Sequence, residues 1–331
     1  MEIVLDSIHL NGNPVPMIYR NGELIYQRFT ATPEPEPIDY KQQYLTFEVF
    51  SAGTIGWKKN NSSSSPDKTI EYSLDNGTTW TSITSATGSS APSFSVNAGD
   101  KILFRGNNAS YCGSNNRYNN LFTTTCPFIV YGNIMSLINS TTFRTLTEVT
   151  EVHTFTGIFL NCTGLTSAEN LVLPATTLVQ NTYRNLFQGC TNLTTAPSEL
   201  PSTTLAKECY FNMFNGCTSL TGVSTDYLPA TTLAESCYRT MFYGCSGLTQ
   251  APELLASDMP TTCYYGMFYN CRKLGYIKCL GTNPANTKTQ NWVVNAGLDV
   301  TGTKTFVKSS SSTGWSTGNS GIPTGWTVES V

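Results

Sequence analysis

The sequence predicts a mainly β protein with short helices, laid out as an N-terminal hairpin anchor, a β-sandwich, a solenoid of repeated coils and a C-terminal cap. Three observations carry this prediction. A nine-residue phrase recurs at Thr182–Cys190, Cys209–Cys217, Cys237–Cys245 and Cys263–Cys271, with a looser copy at Thr154–Cys162. Its terminal cysteines lie 28, 27, 28 and 26 residues apart, the period of one solenoid coil. Residues 40–139 alternate apolar and polar side chains between turn clusters, and the first 38 residues combine two Asn-Gly pairs with a proline-rich spacer. The units are expected at 1–38, 39–145, 146–280 and 281–331.

In the first unit, Ile3 to Leu10 and Met17 to Phe29 read as two strands, with turns at Asn11-Gly12 and Asn21-Gly22. Asn-Gly marks a hairpin because both residues tolerate positive φ. Thr32 to Pro37 alternates proline with glutamate and reads as a stiff extended spacer, since proline fixes φ and removes donors. A small β element held off by such a spacer suits attachment to something larger. Such hairpin segments are similar to the N-terminal attachment pieces of phage tail and fibre proteins.

In the second unit, the alternation is clearest at Tyr44–Phe50, Thr69–Leu74 and Lys101–Arg105, with turn clusters at Asn60–Asp67, Asp75–Gly77 and Asn97–Asp100. This spacing argues a sandwich of about 100 residues. Ser73 to Trp80 matches the Asp-box pattern Ser-x-Asp-x-Gly-x-x-Trp, familiar from sialidases. A single copy reads as a hairpin stabilised by its own aspartate and tryptophan. Trp57, Tyr111, Tyr118 and Tyr131 are aromatic candidates for stacking on a sugar, set against ordinary packing. The Asn-rich run Gly106 to Asn120 reads as a long surface loop.

In the third unit, each phrase continues to a leucine three residues past its cysteine (Leu165, Leu193, Leu220, Leu248, Leu274) and then to a second phrase at Leu173–Leu178, Leu200–Leu205 and Leu228–Leu233, decayed at Leu254–Met259. The Phe-x-x-Cys-x-x-Leu spacing suits one face of a short helical turn leading into an extended segment. Stacked coils at strand spacing, about 4.8 Å, would put Phe187, Phe214, Phe242 and Phe268 in one internal ladder. Eight of the eleven cysteines obey the repeat, and threonine replaces some of them, so they read as buried reduced thiols selected for size. No close Cys-x-x-Cys pair or histidine partner points to a metal.

The combination Cys-Tyr-x-x-Met-Phe-x-Gly-Cys (Cys237 to Cys245) with Leu-Thr-x-Ala-Pro-Glu-Leu (Leu248 to Leu254) resembles the BspA-like leucine-rich repeats of surface proteins and of phage or prophage structural proteins in gut anaerobes. The resemblance covers residues 150–280 and implies a leucine-rich-repeat solenoid. The receptor-type pattern Leu-x-x-Leu-x-Leu-x-x-Asn is missing, so a concave horseshoe face does not follow from it.

In the last unit, Asn283 is placed to N-cap a helix from Pro284 to Ala296, followed by a strand at Lys304–Lys308 and a tail holding Trp315 and Trp326. Trp292 is the candidate to cover the Phe268 rung.

Composition narrows the function. Of 331 residues only 12% are charged, with net charge −3, against about 25% charged in ordinary domains. No basic footprint for nucleic acid appears, and no apolar run approaches the about 18 residues of a membrane span. The acidic N-terminus does not read as a secretory signal. Two histidines, His9 and His153, leave little scope for a triad, and no glycine-rich loop cradles phosphate. His153 is expected at the surface or as a cap. The expectation is a non-enzymatic phage virion protein without cofactor, made in the host cytoplasm: a tail-tip, head-fibre or receptor-binding accessory. Residues 1–30 would bind other virion proteins, and the repeats would bind a host glycan or protein; a homo-oligomer is compatible with this. The alternatives are a bacterial cell-surface adhesin, which needs an export signal, and a polysaccharide-processing enzyme, for which paired carboxylates remain available.

Contact residues are expected where the repeat varies: Arg184, Asn185, Tyr210, Phe211, Tyr238, Arg239, Tyr264 and Tyr265. Tyr183, Tyr210, Tyr238 and Tyr264 share one column, which favours packing. That leaves Arg184, Asn185, Phe211, Arg239 and Tyr265, with Trp57, Tyr111 and Tyr118, as partner-binding candidates.

Overall fold

The computed structural model describes residues 4–10, 13–20, 23–25, 36–60, 66–113 and 120–331. They are mainly β, with few helical residues and no closed barrel among them. The chain forms two compact units, Met1–Asp39 and Tyr40–Val331.

The first unit is a three-stranded antiparallel sheet of β1 (Val4–Leu10), β2 (Asn13–Arg20) and β3 (Glu23–Ile25). Leu10 opposes Asn13 and Arg20 opposes Glu23, so the Asn-Gly pairs fall between strands. The expected pair of strands is thus three, because the second Asn-Gly pair falls between β2 and β3 rather than within one strand. The Asn-Gly residues themselves and the first part of the proline spacer, 32–35, lie outside the described residues.

The second unit begins with two sheets. The strands are β4 (Leu45–Val49), β5 (Gly53–Lys59), β6 (Thr69–Ser73), β7 (Thr81–Thr84), β8 (Ser93–Val96), β9 (Lys101–Gly106), β10 (Asn120–Thr124), β11 (Phe128–Asn133), β12 (Leu165–Ser167) and β13 (Leu171–Val172). One sheet runs β12-β11-β4-β9-β6-β7, with β13 also on β11; the other runs β10-β5-β8. Period-two alternation sends Leu45, Phe47 and Val49 inward with Ile102 and Phe104, all essentially unexposed. Phe47 of the larger sheet lies 4.8 Å from Phe122 of the smaller, so these faces share one core.

That core continues into the repeats. Strand β11 pairs in parallel with β12 and β13, Phe122 N–H donates to Ile158 O at 2.9 Å, and the Phe122 ring stacks on Phe159 at 5.8 Å. Phe159, Phe187, Phe214, Phe242 and Phe268 then stack in sequence at 5.4 to 5.9 Å, all with zero exposure. Phe155, Tyr183, Tyr210, Tyr238 and Tyr264 form a second column at 5.7 to 6.1 Å.

The phrase itself is not helical, contrary to the spacing argument. In the second coil Asn181, Asn185 and Gly189 have φ of 62°, 55° and 75°, and the same every-fourth pattern recurs at Glu208, Asn212, Gly216 and at Ser236, Thr240, Gly244. A left-handed residue at each fourth position stops a right-handed helix from propagating. It makes a chain of tight turns in which N–H groups alternate. Arg184, Leu186, Gln188 and Cys190 donate back to the carbonyl three residues earlier, whereas Tyr183, Asn185, Phe187 and Gly189 donate to Cys209, Phe211, Met213 and Asn215 of the next coil at 2.8 to 2.9 Å. The backbone is thereby paired without a pleated strand. The ring spacing accordingly exceeds the expected strand value.

All eleven cysteines are buried. Size does not exhaust their role. Cys190, Cys217, Cys245 and Cys271 donate S–H to Phe159, Phe187, Phe214 and Phe242 O of the preceding coil at 3.0 to 3.1 Å. Burial raises these thiol pKa values, which keeps the proton available for donation.

At the C-terminal side the expected helix over 284–296 shrinks to α1 (Asn286–Thr289). Asn291 and Asn295 have φ of 55° and 57°, and Gly266, Phe268 and Asn270 donate to Gln290, Trp292 and Val294, so the segment forms another coil. Asn283 does not cap α1; it accepts from Met259 N and donates to Asp258. Trp292 is fully buried, 6.2 Å from both Phe268 and Tyr264, with its Nε1 donating to Gly321 O at 2.7 Å. It ends both aromatic columns. Parallel strands β14 (Tyr276–Cys279), β15 (Thr305–Lys308) and β16 (Thr327–Ser330) complete the unit.

Candidate binding face

Alternation along the turn chain decides what faces outward. The tyrosines at 183, 210, 238 and 264 are at most 2% exposed, and the next residues, Arg184, Phe211, Arg239 and Tyr265, are each partly exposed. This outer column alternates cation and ring. The Arg184 guanidinium lies 3.8 Å from the Phe211 centroid, and Arg239 lies 5.5 Å from Phe211 and 4.3 Å from Tyr265. Such contacts are worth about 0.5 to 2 kcal/mol each, depending on desolvation. Arg184 also pairs with Glu208. Burial pulls the Arg184 pKa down from its ordinary value, Glu208 opposes this and Arg239 adds to the lowering.

The structure therefore brings together Arg184, Phe211, Arg239 and Tyr265. Asn185 is one residue further on at a left-handed position, where its role is to make the turn. Trp57 and Tyr111 do not belong to an exposed face. Trp57 has zero exposure and donates its Nε1 to Lys68 O at 2.8 Å. Tyr111, also unexposed, donates to Leu137 O at 2.5 Å and accepts from Asn108 at 3.1 Å. Their polar atoms are satisfied inside, as buried aromatics require, so the Asn-rich run is in part interior. Tyr118 lies outside the described residues. His153 is buried as well, at a left-handed position with φ of 62°, and burial first, then Arg184, lowers its pKa.

Two features escaped the residue pattern. Tyr243 and Tyr269, partly exposed, stack at 4.5 Å in a neighbouring column. Their repetition at a fixed phrase position was a usable signal. A hollow of about 380 Å³ on the outer face of β4 and β9 is lined by Tyr44, Asn76, Lys101, Leu103 and Tyr131. Trp80 lies 5.1 Å from Tyr44 and 4.0 Å from the Arg105 guanidinium. The Tyr131 hydroxyl is pushed up to about 12 by burial, with Glu48 and Tyr40 adding to the effect.

The Asp box closes the β6–β7 turn. Asp75 accepts from Thr79 N at 2.8 Å, from Thr79 Oγ1 at 2.6 Å and from Ser73 Oγ at 2.7 Å, and Trp80 Nε1 donates to Gly77 O at 3.0 Å. These bonds, those from Thr79 foremost, bring the carboxyl down to about 2. The aspartate is engaged within its own turn, with two strands hung on it.

Among the described residues no group of three or more His, Cys, Asp or Glu side chains is arranged to hold a metal ion. No protein-family model matches the chain, and neither a curated protein nor a solved structure shows significant similarity to it.

Proposed function

We propose that this chain is a non-enzymatic phage virion structural and adhesion protein, a tail-tip, head-fibre or receptor-binding accessory, that displays a BspA-like leucine-rich-repeat solenoid to a host surface. On this reading the N-terminal sheet docks on other virion proteins, the paired sheets form a sandwich fused to the first coil, and Trp292 ends the stack. One observation carries it: two adjacent columns obey opposite rules. The buried column keeps tyrosine through four coils, whereas its outward neighbour reads Arg184, Phe211, Arg239, Tyr265 and holds guanidiniums against rings. Packing alone requires only the first column to be uniform. Side chains that vary while presenting arginine and aromatics resemble the composition of binding hot spots.

The test has two parts. Purified phage particles should contain the protein at a fixed copy number, and the isolated protein should attach to host cells and lose attachment in Arg239→Ala. Absence from particles together with no cell attachment would overturn the proposal. Turnover of a surface glycan by the purified protein would replace it with an enzymatic role.

A further inference from the structure

Two guanidiniums share the outer column, and a single carboxylate serves them. Arg184 holds Glu208. Arg239 is partly exposed, and none of the ion pairs among the described residues involves it. Its Nε is buried with no hydrogen-bond partner. Phe211 and Tyr265 hold its plane between them, so the fork is oriented in advance. A partly exposed guanidinium set between two rings and without a carboxylate of its own is suited to a carboxylate from outside the chain.

The adjoining surface is aromatic. Gly266 stands where the three preceding coils carry Asn185, Asn212 and Thr240, and it packs closely there: a Cβ would come within 2.9 Å of Thr240 Cγ2 and 3.6 Å of the Tyr243 ring. Tyr243 and Tyr269 stack next to it. Rings of this kind pack against the C–H faces of sugars. The low charge of the chain, with Ser, Thr and Asn in place of Lys and Glu, favours hydroxylated ligands over a polyanionic protein surface.

We propose that Arg239 and the Tyr243–Tyr269 pair form a subsite for an acidic saccharide, the guanidinium taking the sugar carboxylate and the tyrosines packing on its ring. The proposal rests on the adhesion reading and narrows its ligand to uronate-type or other carboxylated sugars.

Immobilised oligogalacturonate and its methyl ester, which share a ring but differ in charge, test it on the unaltered protein. The acid should be held at least about tenfold more tightly than the ester, the scale of one charge-assisted hydrogen bond. Arg239→Ala should abolish that preference without changing the melting temperature by more than a few degrees, Arg239→Lys should fall between, and Tyr269→Ala should weaken both saccharides. Equal retention of acid and ester, a preference that survives Arg239→Ala, or polyglutamate bound as tightly as oligogalacturonate would each overturn the assignment. Any of these leaves the adhesion reading standing if the wild-type protein still attaches to host cells. Failure of that attachment removes both.

Discussion

The paired sheets of residues 45–133 and the coils of residues 153–296 bury their backbones in two different ways. In the sheets, extended strands bond edge to edge, and left-handed residues fall mainly in turns such as Asn76 and Gly77, with Gly132 in β11 an exception. In the coils a left-handed residue returns at every fourth position, and only alternate N–H groups reach the neighbouring coil. The consequence is a different constraint on sequence. A strand asks for alternation and a fitting side chain, whereas a coil asks for left-handed backbone at the turning positions, most often met by Gly or Asn, and leaves its outward column free to vary. The part of the molecule with the stricter backbone thus has the more permissive surface.

The largest expected effect tests whether both regions depend equally on buried rings. Phe242→Ala and Phe104→Ala should each cost about 3 to 5 kcal/mol in urea unfolding. A far smaller loss at Phe242 would mean that backbone bonds alone hold the coils. The next effect isolates the turning positions. Gly216 has φ of 79° and room for a Cβ, whose nearest neighbour would lie at an ordinary contact distance of 3.7 Å. Gly216→Ala should therefore cost about 1 to 2 kcal/mol from conformation alone. If the melting temperature does not move, the left-handed requirement is not what distinguishes the coils.

Thr240 breaks the coil rule, because a β-branched residue occupies a left-handed position with φ of 53°. Thr240→Asn should stabilise the protein by up to about 1 kcal/mol, the strain relieved being partly offset by loss of the hydroxyl bond to Asn212. A destabilised variant would show that this bond outweighs the strain. The smallest effect belongs to the sheets. Asp75 has a folded pKa lowered to about 2 by its turn hydrogen bonds, from an ordinary 3.8. Its contribution is present above about pH 4 and lost as pH falls through 2. The difference in melting temperature between wild type and Asp75→Asn should shrink over that interval. A constant difference would place the stabilising interaction elsewhere.

Much of this was readable in residue order. The Phe187 to Phe268 ladder, the tyrosine column and Trp292 at its end follow from spacing, since equivalent residues of stacked coils must superimpose. Strands β4, β6 and β9 follow from alternation. The helical reading of Phe-x-x-Cys-x-x-Leu failed because a three-residue spacing suits a helix and a chain of turns equally well. The deciding signal was the Gly or Asn before each repeat cysteine and, in every copy but the one ending at Cys245, again four residues earlier (Asn185 and Gly189, Asn212 and Gly216). Trp57 and Tyr111 read as stacking candidates as well as packing residues because an aromatic in a polar stretch carries no mark of which way it points. The thiol bonds to the phenylalanine carbonyls were hidden for a similar reason, since their acceptors belong to the preceding coil.

Repetition therefore determined the period, the interior columns and the residues left to vary, because a side chain that must stack on its own image in the next coil is held to one type. Which varying residues act together was decided only by the folded chain. Arg184 and Arg239 stand 55 residues apart in sequence, yet Phe211 lies against both guanidiniums. Whether each cation also finds a carboxylate depends on distances across coils, which no spacing within one coil encodes.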